Sequence, residues 1–295
     1  MLTKIHGVIT KLGVRHYGRV GLIGVPFEKG QVLAHHQEGV AHGPKVIRSA
    51  GLLRELESLG LDVRDYGDIL YKVQSMGGVS NMTHLGDVAG CTNCLSEQVQ
   101  RILNDGRRVL TIGGDHSLGV GTIDGHVQVK KDVGVIWVDA HADLNTNKTS
   151  DSGNVHGMPV ALLTTELADY WPHLPGIHDV VYMALNKIDP NESKSLHVSF
   201  DIDSLDPLEA PSTGTPVRGG LSLREAVHLM EELYRTNRLN AVDLVEVNPY
   251  IGNQRDINLT VEAAIHIIQA GFGYTRRGLK RWRYLRYGKP FTVCY

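Results

Sequence analysis

The stretch Gly134-Val135-Ile136-Trp137-Val138-Asp139-Ala140-His141-Ala142-Asp143 joins an apolar run to three potential metal ligands. The apolar half predicts a buried strand, and the polar half begins where that strand leaves the core. Residues two apart on an extended chain point to the same side, so Asp139, His141 and Asp143 converge. A single Asp at a strand end is usually a cap or a turn residue, but this triplet has no common structural explanation. The stretch therefore predicts a metal site at the end of a strand.

Similar apolar runs recur along the chain and alternate with helical patterns, which is typical of an α/β protein with a mainly parallel central sheet. The predicted strands are Val20 to Val25, Asp62 to Tyr66, Arg108 to Ile112, Gly134 to Val138, Asp179 to Leu185, His197 to Asp201 and Ala241 to Glu246. The predicted helices begin at Gly43-Pro44 and run near Cys91 to Leu103, Met158 to Leu167, Leu223 to Tyr234 and Val261 to Phe272. No repeat or low-complexity linker divides the chain, so residues 1–295 are predicted to form one domain.

One connection is short for this plan. Only eleven residues, Asn186 to Leu196, separate the strand predicted to end at Leu185 from the strand predicted to begin at His197. A parallel crossover that includes a helix usually needs at least about ten to twelve residues, and commonly more. Either this connection is compressed, or the strand pairing there differs from the rest of the sheet.

The composition excludes several classes of protein. The chain has 295 residues, 42% of them hydrophobic, which is enough for a substantial core. A formal net charge of -2 favours neither nucleic acid nor a membrane surface as the main partner. We find neither an apolar run as long as a membrane span nor a secretory leader. The expectation is a soluble protein of the cytoplasm or the mitochondrion.

The three cysteines, Cys91, Cys94 and Cys294, are too few for a disulfide framework and suit a reducing compartment. Cys91 and Cys94 form a C-x-x-C pair, but neither a second ligand pair nor a strand-to-helix setting accompanies it. We therefore interpret the pair as two small apolar residues near a helix start, in preference to a redox or zinc site.

Both termini are basic. Residues 1–20 contain Lys and Arg interleaved with apolar residues and no acid, which fits a short organelle-targeting segment and a frayed basic terminus equally well. Residues 275–295 combine Arg and Lys with Trp282, Tyr284 and Tyr287, again without an acid. Such a segment can bind single-stranded nucleic acid, but the overall charge argues against this, and a tail that contacts other subunits is favoured.

Two further segments repeat the chemistry of the first. Asp201 and Asp203 follow the strand that begins at His197 and share a face, and Gly113-Gly114-Asp115-His116-Ser117 follows the strand that ends at Ile112. The glycines allow a sharp turn, and His116 is placed at the same sheet edge as the acids. Buried acids from two strands would repel one another unless cations lay between them.

The combined donor set indicates the kind of metal. It contains two imidazoles and four carboxylates but no thiolate, which favours manganese, magnesium or ferrous iron over zinc. Six side chains are too many for one open catalytic ion, so two ions bridged by carboxylates are predicted, and such a pair generates hydroxide from water at neutral pH. The six candidate ligands are His116, Asp139, His141, Asp143, Asp201 and Asp203.

These motifs together resemble those of the ureohydrolases, the superfamily of arginase and agmatinase. The resemblance extends from Gly24 to Gly273 and includes the loop Ser152-Gly153-Asn154-Val155-His156-Gly157, which is closer to arginase than to agmatinase. It implies a three-layer α/β/α fold, a trimeric assembly and two Mn²⁺ ions per subunit held by the six candidate ligands. It also implies the hydrolysis of L-arginine to L-ornithine and urea, the reaction of arginine metabolism and the urea cycle, by a metal-bridging hydroxide.

The resemblance also implies roles for residues around the metals. Asp143 would hold the hydroxide and help to move its proton, and His156 would relay protons to the leaving amine. Glu246 would pair with the guanidinium group, with Thr215 beside it. The α-carboxylate would be bound by Asn145, Ser152 and Asn154, and the α-amino group by Asp189.

The sequence departs from this family where the connection is short. Arginases have a longer connection after the Asp-Pro pair that aligns with Asp189-Pro190, and Asn186-Lys187 replaces their usual Arg-Asp. Two alternatives to an arginase therefore remain open. One is an amidinohydrolase for agmatine or another guanidino compound, and the other is an impaired or non-catalytic paralogue or isoform that assembles with an active subunit.

Overall fold

A sheet of six parallel strands forms the centre of the protein in a computed structural model that describes residues 18–31, 39–76, 79–164, 189 and 191–275. The strands are β1 (Arg19–Gly24), β2 (Asp62–Asp68), β3 (Arg108–Ile112), β4 (Val133–Val138), β5 (Ser195–Asp201) and β6 (Leu239–Val245). Their spatial order is β2-β1-β3-β6-β5-β4, and every pairing is parallel. The predicted parallel α/β architecture is thereby confirmed.

Helices cover both faces of the sheet. They are α1 (Gly43–Ser49), α2 (Leu52–Ser58), α3 (Leu85–Asn104), α4 (Gly119–Lys130), α5 (Pro159–Leu163), α6 (Leu223–Arg235) and α7 (Gln254–Gly271). Alternate strand residues point to opposite faces, so Val198, Phe200 and Leu244 enter a core with α1, α2, α6 and α7. Val135 and Val245 enter a second core with α3, α4 and α5. The result is the predicted three-layer arrangement.

Element boundaries differ from the predictions mainly at helix starts. α7 begins at Gln254 rather than at Val261, because Asn253 and Asp256 form a reciprocal capping box that starts the helix two turns earlier. α3 begins at Leu85, which places Cys91 inside the helix rather than near its start. Cys91 is buried, and burial raises the pKa of its thiol far above the ordinary value, as expected for a structural cysteine.

The region of the short connection is described only in part. The strand predicted for Asp179 to Leu185 lies outside the described residues, as do Asn186 and Lys187. β4 and β5 pair with each other directly, from Val133 opposite Ser195 to Val138 opposite Phe200. Within the described ranges, no helix is both long enough and apolar enough to cross a bilayer.

Candidate metal centre and substrate site

The carboxyl ends of four adjacent strands place the predicted ligands together. Ile112, Leu244, Phe200 and Val138 lie in register across β3, β6, β5 and β4, so the segments that follow them leave the sheet at one edge. In open parallel sheets this edge is the usual position of a binding site. The structure brings all six candidate ligands to it, namely His116, Asp139, His141, Asp143, Asp201 and Asp203.

One group of potential ligands surrounds His116. Its Nδ1 atom lies 3.0 Å from Oδ2 of Asp139, 3.2 Å from Oδ2 of Asp201 and 3.4 Å from Oδ2 of Asp143. This Nδ1 atom is fully buried, yet it makes no properly directed hydrogen bond to any of the residues that the structure describes. A buried ring nitrogen that faces three carboxylate oxygens without a directed hydrogen bond suits a cation between them.

A second group lies beside the first and shares Asp139 with it. The Nδ1 atom of His141 is 3.4 Å from Oδ1 of Asp139 and 3.1 Å from Oδ2 of Asp203. Within each of the groups His116-Asp139-Asp201 and Asp139-His141-Asp203, the potential ligand atoms lie within 4.8 Å of one another. Two oxygen-rich sites joined by one carboxylate fit a pair of hard divalent cations.

Two supporting contacts could not be read from the sequence. Trp137 stacks on the His116 ring with a centroid distance of 4.0 Å and an interplanar angle of 10°, and its Nε1 donates a 3.0 Å hydrogen bond to Oδ2 of Asp139. On β5, Ser199 lies 3.0 Å from Nε2 of His116 through its Oγ. Both contacts depend on the pairing of β4 with β5, which sets Trp137 opposite Ser199. They hold the His116 ring in one orientation.

The acids in this cluster carry the electrostatic signature of a site built for cations. Burial, followed by the charges of Asp203 and Asp139, raises the pKa of Asp201 well above its ordinary value. Burial also raises the pKa of Asp143 to about 8. Asp143 additionally has a positive φ of 49°, which is uncommon outside glycine. Without cations, the folded protein therefore favours protonated Asp143 and Asp201, whereas the hydrogen bonds from His116 and His141 lower the pKa of Asp139 despite its burial.

A pH dependence follows for the metal-free protein. Between its ordinary pKa of 3.8 and about 8, folded Asp143 keeps a proton that the unfolded chain has lost. Folding takes up protons in that range, so the free energy of unfolding should fall as pH rises. Urea unfolding in the presence of EDTA at about pH 5, 7 and 9 measures this trend. An unfolding free energy that increases steadily across the series would contradict it, and excess Mn²⁺ should weaken the trend because cations favour the ionised acids.

Glu246 lies next to the metal ligands and is almost fully buried. Its Oε1 accepts hydrogen bonds from the backbone N–H of His116 at 2.9 Å and from Nδ1 of His156 at 3.0 Å. Its Oε2 accepts one from Nε2 of Gln31 at 2.7 Å. Gln31 is a site residue that the sequence did not suggest, since it follows an irregular loop after β1. Glu246 also has a positive φ, 63°, so its backbone is strained at this position.

His156 lies beside Glu246, with its Nδ1 3.0 Å from Oε1 of that carboxylate. Burial would lower its pKa, but the hydrogen bond and the charge of Glu246 outweigh burial and raise the pKa of His156 to about 9. Its position is fixed by a 3.0 Å hydrogen bond from its backbone N–H to the carbonyl of Gly30. His156 is therefore a partly buried, oriented imidazole and not the free surface histidine that an isolated loop residue would be.

The predicted carboxylate-binding residues lie on the loop between β4 and α5. Asn145 and Ser152 are exposed, and Asn154 is partly buried. The backbone N–H of Asn145 donates to the carbonyl of Gly157 at 3.1 Å, which ties this side of the loop to the segment that carries His156. Thr215 donates from Oγ1 to Oδ2 of Asp203 at 3.0 Å, so it contacts the second ligand group.

The structure does not bring Asp189 to the candidate ligand groups. This side chain accepts hydrogen bonds from the backbone N–H groups of Ser193 at 2.9 Å and Lys194 at 2.8 Å, and it forms an ion pair with Arg238. These partners precede β5 and β6, whereas the ligands follow the opposite ends of the strands. A strand of seven residues spans about 23 Å at 3.3 Å per residue, so Asp189 is far from the metal cluster. It caps the start of β5 because the chain returns to the sheet there.

The described geometry combines a three-layer parallel fold with a cluster of acids and imidazoles at the carboxyl edge, and this combination defines the ureohydrolase class of metal-dependent hydrolases. Within that class, the model of the Arginase family matches residues 18–171 and 173–273. The chain therefore belongs to the arginase family.

Individual relatives agree with this assignment. The chain is similar to human mitochondrial arginase-2, with 37% identity over 325 aligned positions that cover 94% of this chain and 90% of the relative. It is similar to the hepatic arginase of Aquarana catesbeiana, with 40% identity over 310 positions that cover 88% and 94% of the two chains. The solved arginase of Bacillus caldovelox has 32% identity and a TM-score of 0.74, covering 88% of this chain and 99% of that one.

The alignments also bear on the length of the chain. With 325 and 310 positions, both are longer than this chain of 295 residues, so both relatives contain residues that have no counterpart here. This agrees with a chain that is shortened relative to the family. The location of the shortening between Asn186 and Leu196 stays a prediction, because most of the preceding segment lies outside the described residues.

Proposed function

We propose that this protein hydrolyses the guanidinium group of L-arginine to give L-ornithine and urea, using two Mn²⁺ ions. The observation that carries the proposal is the pair of ligand groups that share Asp139 next to the carboxylate of Glu246. The first ion would be held by His116, Asp139, Asp143 and Asp201, and the second by Asp139, His141 and Asp203. When bound, such a pair supplies a hydroxide nucleophile at neutral pH.

Two groups are placed to handle protons. Asp143, whose Oδ2 lies 3.4 Å from Nδ1 of His116 beside the first ligand group, would accept and release a proton there. His156 donates its Nδ1–H to Glu246, so Nε2 is the ring nitrogen that remains for proton transfer to the leaving amine. Both residues lie within the buried cluster, where water is largely excluded and hydrogen bonds are electrostatically strong.

Glu246 supplies the negative charge for the guanidinium group. A carboxylate offers about four acceptor directions, and three of those on Glu246 are already used by His116, His156 and Gln31. A guanidinium group that forms two hydrogen bonds would therefore displace one existing donor. We assign the displaced donor as His156, since loss of its Glu246 partner lowers its pKa toward the working pH and frees its proton for the amine.

The amino-acid end of arginine would be recognised by neutral groups. Asn145, Ser152 and Asn154 lie on the loop that leads to His156 and would offer hydrogen bonds to an α-carboxylate. Asp189 contributes nothing to an α-amino group from its position before β5. That position favours a second candidate, an amidinohydrolase whose substrate lacks the amino-acid end, such as agmatine.

Urea release from L-arginine and from agmatine distinguishes these candidates. We expect kcat/KM for L-arginine to exceed that for agmatine, because the loop groups would bind a carboxylate that agmatine does not have. Replacing Asn154 with Ala should reduce the preference without changing the turnover of agmatine. Faster hydrolysis of agmatine than of L-arginine would replace the arginase proposal by the second candidate, and no urea from either substrate would contradict both.

The remaining proposals concern the setting of the enzyme. We propose one catalytic domain across residues 1–295, with residues 1–20 as a targeting or frayed segment and residues 275–295 as a subunit-contact tail in a homotrimer. The arginase-2 relative is described as mitochondrial, which supports the mitochondrion as one of two proposed locations, the other being the cytoplasm. Size-exclusion chromatography with light scattering tests the trimer.

A further inference from the structure

A buried polar network beneath the metal centre has no role in the proposed reaction. On β5, Leu196, Val198 and Phe200 enter an apolar core, but the intervening residues His197 and Ser199 face α4. Asp243 on β6 lies in register with Ser199, and Thr122 and His126 of α4 complete the group. The side chains of Thr122, His126, His197, Ser199 and Asp243 are all 0% exposed. Burying this many polar groups in the centre of the fold is unfavourable unless the groups are hydrogen-bonded to one another.

Asp243 is the acceptor on which the network converges. Its Oδ2 atom accepts from Oγ1 of Thr122 at 2.6 Å, lies 2.8 Å from Nε2 of His197, and accepts from Oγ of Ser199 at 3.3 Å. Three donors around one oxygen suit an ionised carboxylate, which has no proton of its own to give. Each of the three neighbours must therefore direct its proton toward Asp243.

This constraint reaches the metal ligand through Ser199. A serine hydroxyl has one proton, and Ser199 donates it to Asp243. Toward His116, the Ser199 oxygen can therefore only accept a hydrogen bond. The 3.0 Å contact between Ser199 Oγ and His116 Nε2 is then a bond donated by Nε2–H. With its proton on Nε2, a neutral His116 presents the lone pair of Nδ1 to Asp139 and Asp201, as a metal ligand must.

The other side of the network is consistent with the same directions. His197 donates from Nε2 to Asp243, so its Nδ1 accepts from Nδ1–H of His126 at 3.2 Å. Nε2 of His126 then accepts from Oγ of Ser195 at 2.8 Å, and Ser195 accepts from Nδ2 of Asn240 at 2.8 Å. The hydrogen bonds from Asn240 through Ser195, His126 and His197 to Oδ2 of Asp243 all run in consistent directions, although Oδ1 of Asp243 has no hydrogen-bond partner among the described residues. Burial lowers the pKa of His126 to about 2, so its ring is neutral.

We propose that Asp243 is a positioning residue for the metal centre, which acts through Ser199 to hold His116 with its Nδ1 lone pair directed at the cations. The proposal rests on the metal site of the proposed function and extends it to a residue on β6 that contacts no metal ligand directly. Hydrogen-bond partners behind a metal ligand typically change metal affinity by about 10- to 100-fold. Asp243 would act one bond further away.

The test measures Mn²⁺ affinity directly, by titrating full-length protein with Mn²⁺ and following the free ion by electron paramagnetic resonance. Asp243→Ala removes the acceptor and lets Ser199 donate to His116, so we expect one of the two Mn²⁺ dissociation constants, that of the ion held by His116, to rise at least about tenfold. Asp243→Asn should restore affinity to within about threefold of the parent. Its amide oxygen can take the place of Oδ2, because three donors surround that position.

Thr122→Val is the matched control. It deletes a hydrogen bond to the same carboxylate oxygen and is expected to lower thermal stability, but it leaves the bond between Ser199 and Asp243 in place. Its Mn²⁺ affinity should stay within about twofold of the parent. An equal loss of affinity in Thr122→Val and Asp243→Ala would mean that the network merely supports the fold, and the proposal would be abandoned.

A double-mutant cycle with Ser199→Ala tests the route. If Asp243 acts through Ser199, a substitution at Asp243 adds no further loss of affinity once Ser199 is Ala. If the losses of Mn²⁺ affinity in the two single variants multiplied in the double variant, the proposal would be overturned. Should Asp243→Ala fail to fold by circular dichroism, the cycle is run with Asp243→Asn, whose smaller loss must likewise vanish in the Ser199→Ala background. A parent protein that binds no Mn²⁺ would refute the proposed function itself, whereas normal binding by Asp243→Ala refutes only this inference.

Discussion

Asp201→Asn is expected to move the stability of the metal-free and the manganese-loaded protein in opposite directions. In the metal-free protein, buried Asp201 is disfavoured as an anion by desolvation and by the charges of Asp203 and Asp139. An amide removes that repulsion and can still accept the 2.8 Å hydrogen bond from the backbone N–H of Asp203. Each kcal/mol gained corresponds to a rise of roughly 2–4 °C in the unfolding temperature.

The loaded protein should respond with a large loss. Asp201 belongs to the ligand group of His116, so the substitution should weaken Mn²⁺ binding by more than the roughly 100-fold upper range seen for residues behind a ligand. Stabilisation by excess Mn²⁺ falls accordingly, since bound ligand stabilises only the folded state. Urea release from L-arginine should become undetectable at Mn²⁺ concentrations that saturate the parent.

Thermal unfolding followed by circular dichroism, with EDTA and again with excess MnCl₂, measures both effects. Asp206→Asn is the matched control, since Asp206 follows the same strand and accepts two backbone hydrogen bonds but is only partly buried and lies outside the ligand groups. It should leave the Mn²⁺-induced shift unchanged. Equal destabilisation of Asp201→Asn with and without Mn²⁺ would contradict this prediction. It would mean that repulsion among the acids does not destabilise the metal-free protein.

The ligands could be predicted because their geometry is local to the chain. The segment from Asp139 to Asp143 directly follows β4, and the parallel sheet brings it to the same edge as His116. The backbone of this segment is not extended as predicted, since Asp143 has a positive φ of 49°. The sequence also contains a signal for the early start of α7 that the prediction of a helix near Val261 to Phe272 did not use. Asn253 and Asp256 have the spacing of a capping box. These features need no knowledge of which strands are neighbours.

The contacts that the sequence did not reveal depend on strand pairing. Trp137, Ser199 and Asp243 come together only because β4, β5 and β6 are adjacent and in register. The order of the strands along the chain does not determine this order in the sheet. Asp189 was misplaced for a related reason. The family resemblance assumes the usual length of chain around it, and here the chain enters β5 only a few residues later.

Glu246→Gln is expected to abolish most activity while leaving the metals in place. Glu246 belongs to neither ligand group, so the protein should still bind two Mn²⁺ ions. Its loss as an anion leaves a buried guanidinium group without a charged partner, which costs about 3 kcal/mol or more and reduces kcat/KM for L-arginine by a factor of roughly 150. The backbone strain at Glu246 is unchanged because Gln tolerates the same conformation no worse than Glu.

Glu55→Gln provides a control of the same chemistry elsewhere. Glu55 accepts a 2.9 Å hydrogen bond from Nε2 of Gln269, as Glu246 does from Gln31, but it lies on α2 away from the ligands. Kinetics with L-arginine at saturating Mn²⁺, together with metal analysis, should show normal kcat/KM for Glu55→Gln. Metal loss in Glu246→Gln would indicate a role in the cluster, and near-normal kcat/KM with full metal content would exclude Glu246 as the guanidinium partner.

The pH profile adds a test that a purely structural role would not satisfy. Glu246 raises the pKa of His156 to about 9, so replacing it with Gln should lower that pKa. His156 keeps its proton to about pH 9 only while Glu246 is charged, and residual activity in Glu246→Gln should therefore lose its protonated acid at a lower pH than in the parent. An unshifted pH profile in the variant would contradict the claim that Glu246 controls the pKa of the His156 side chain that donates the proton.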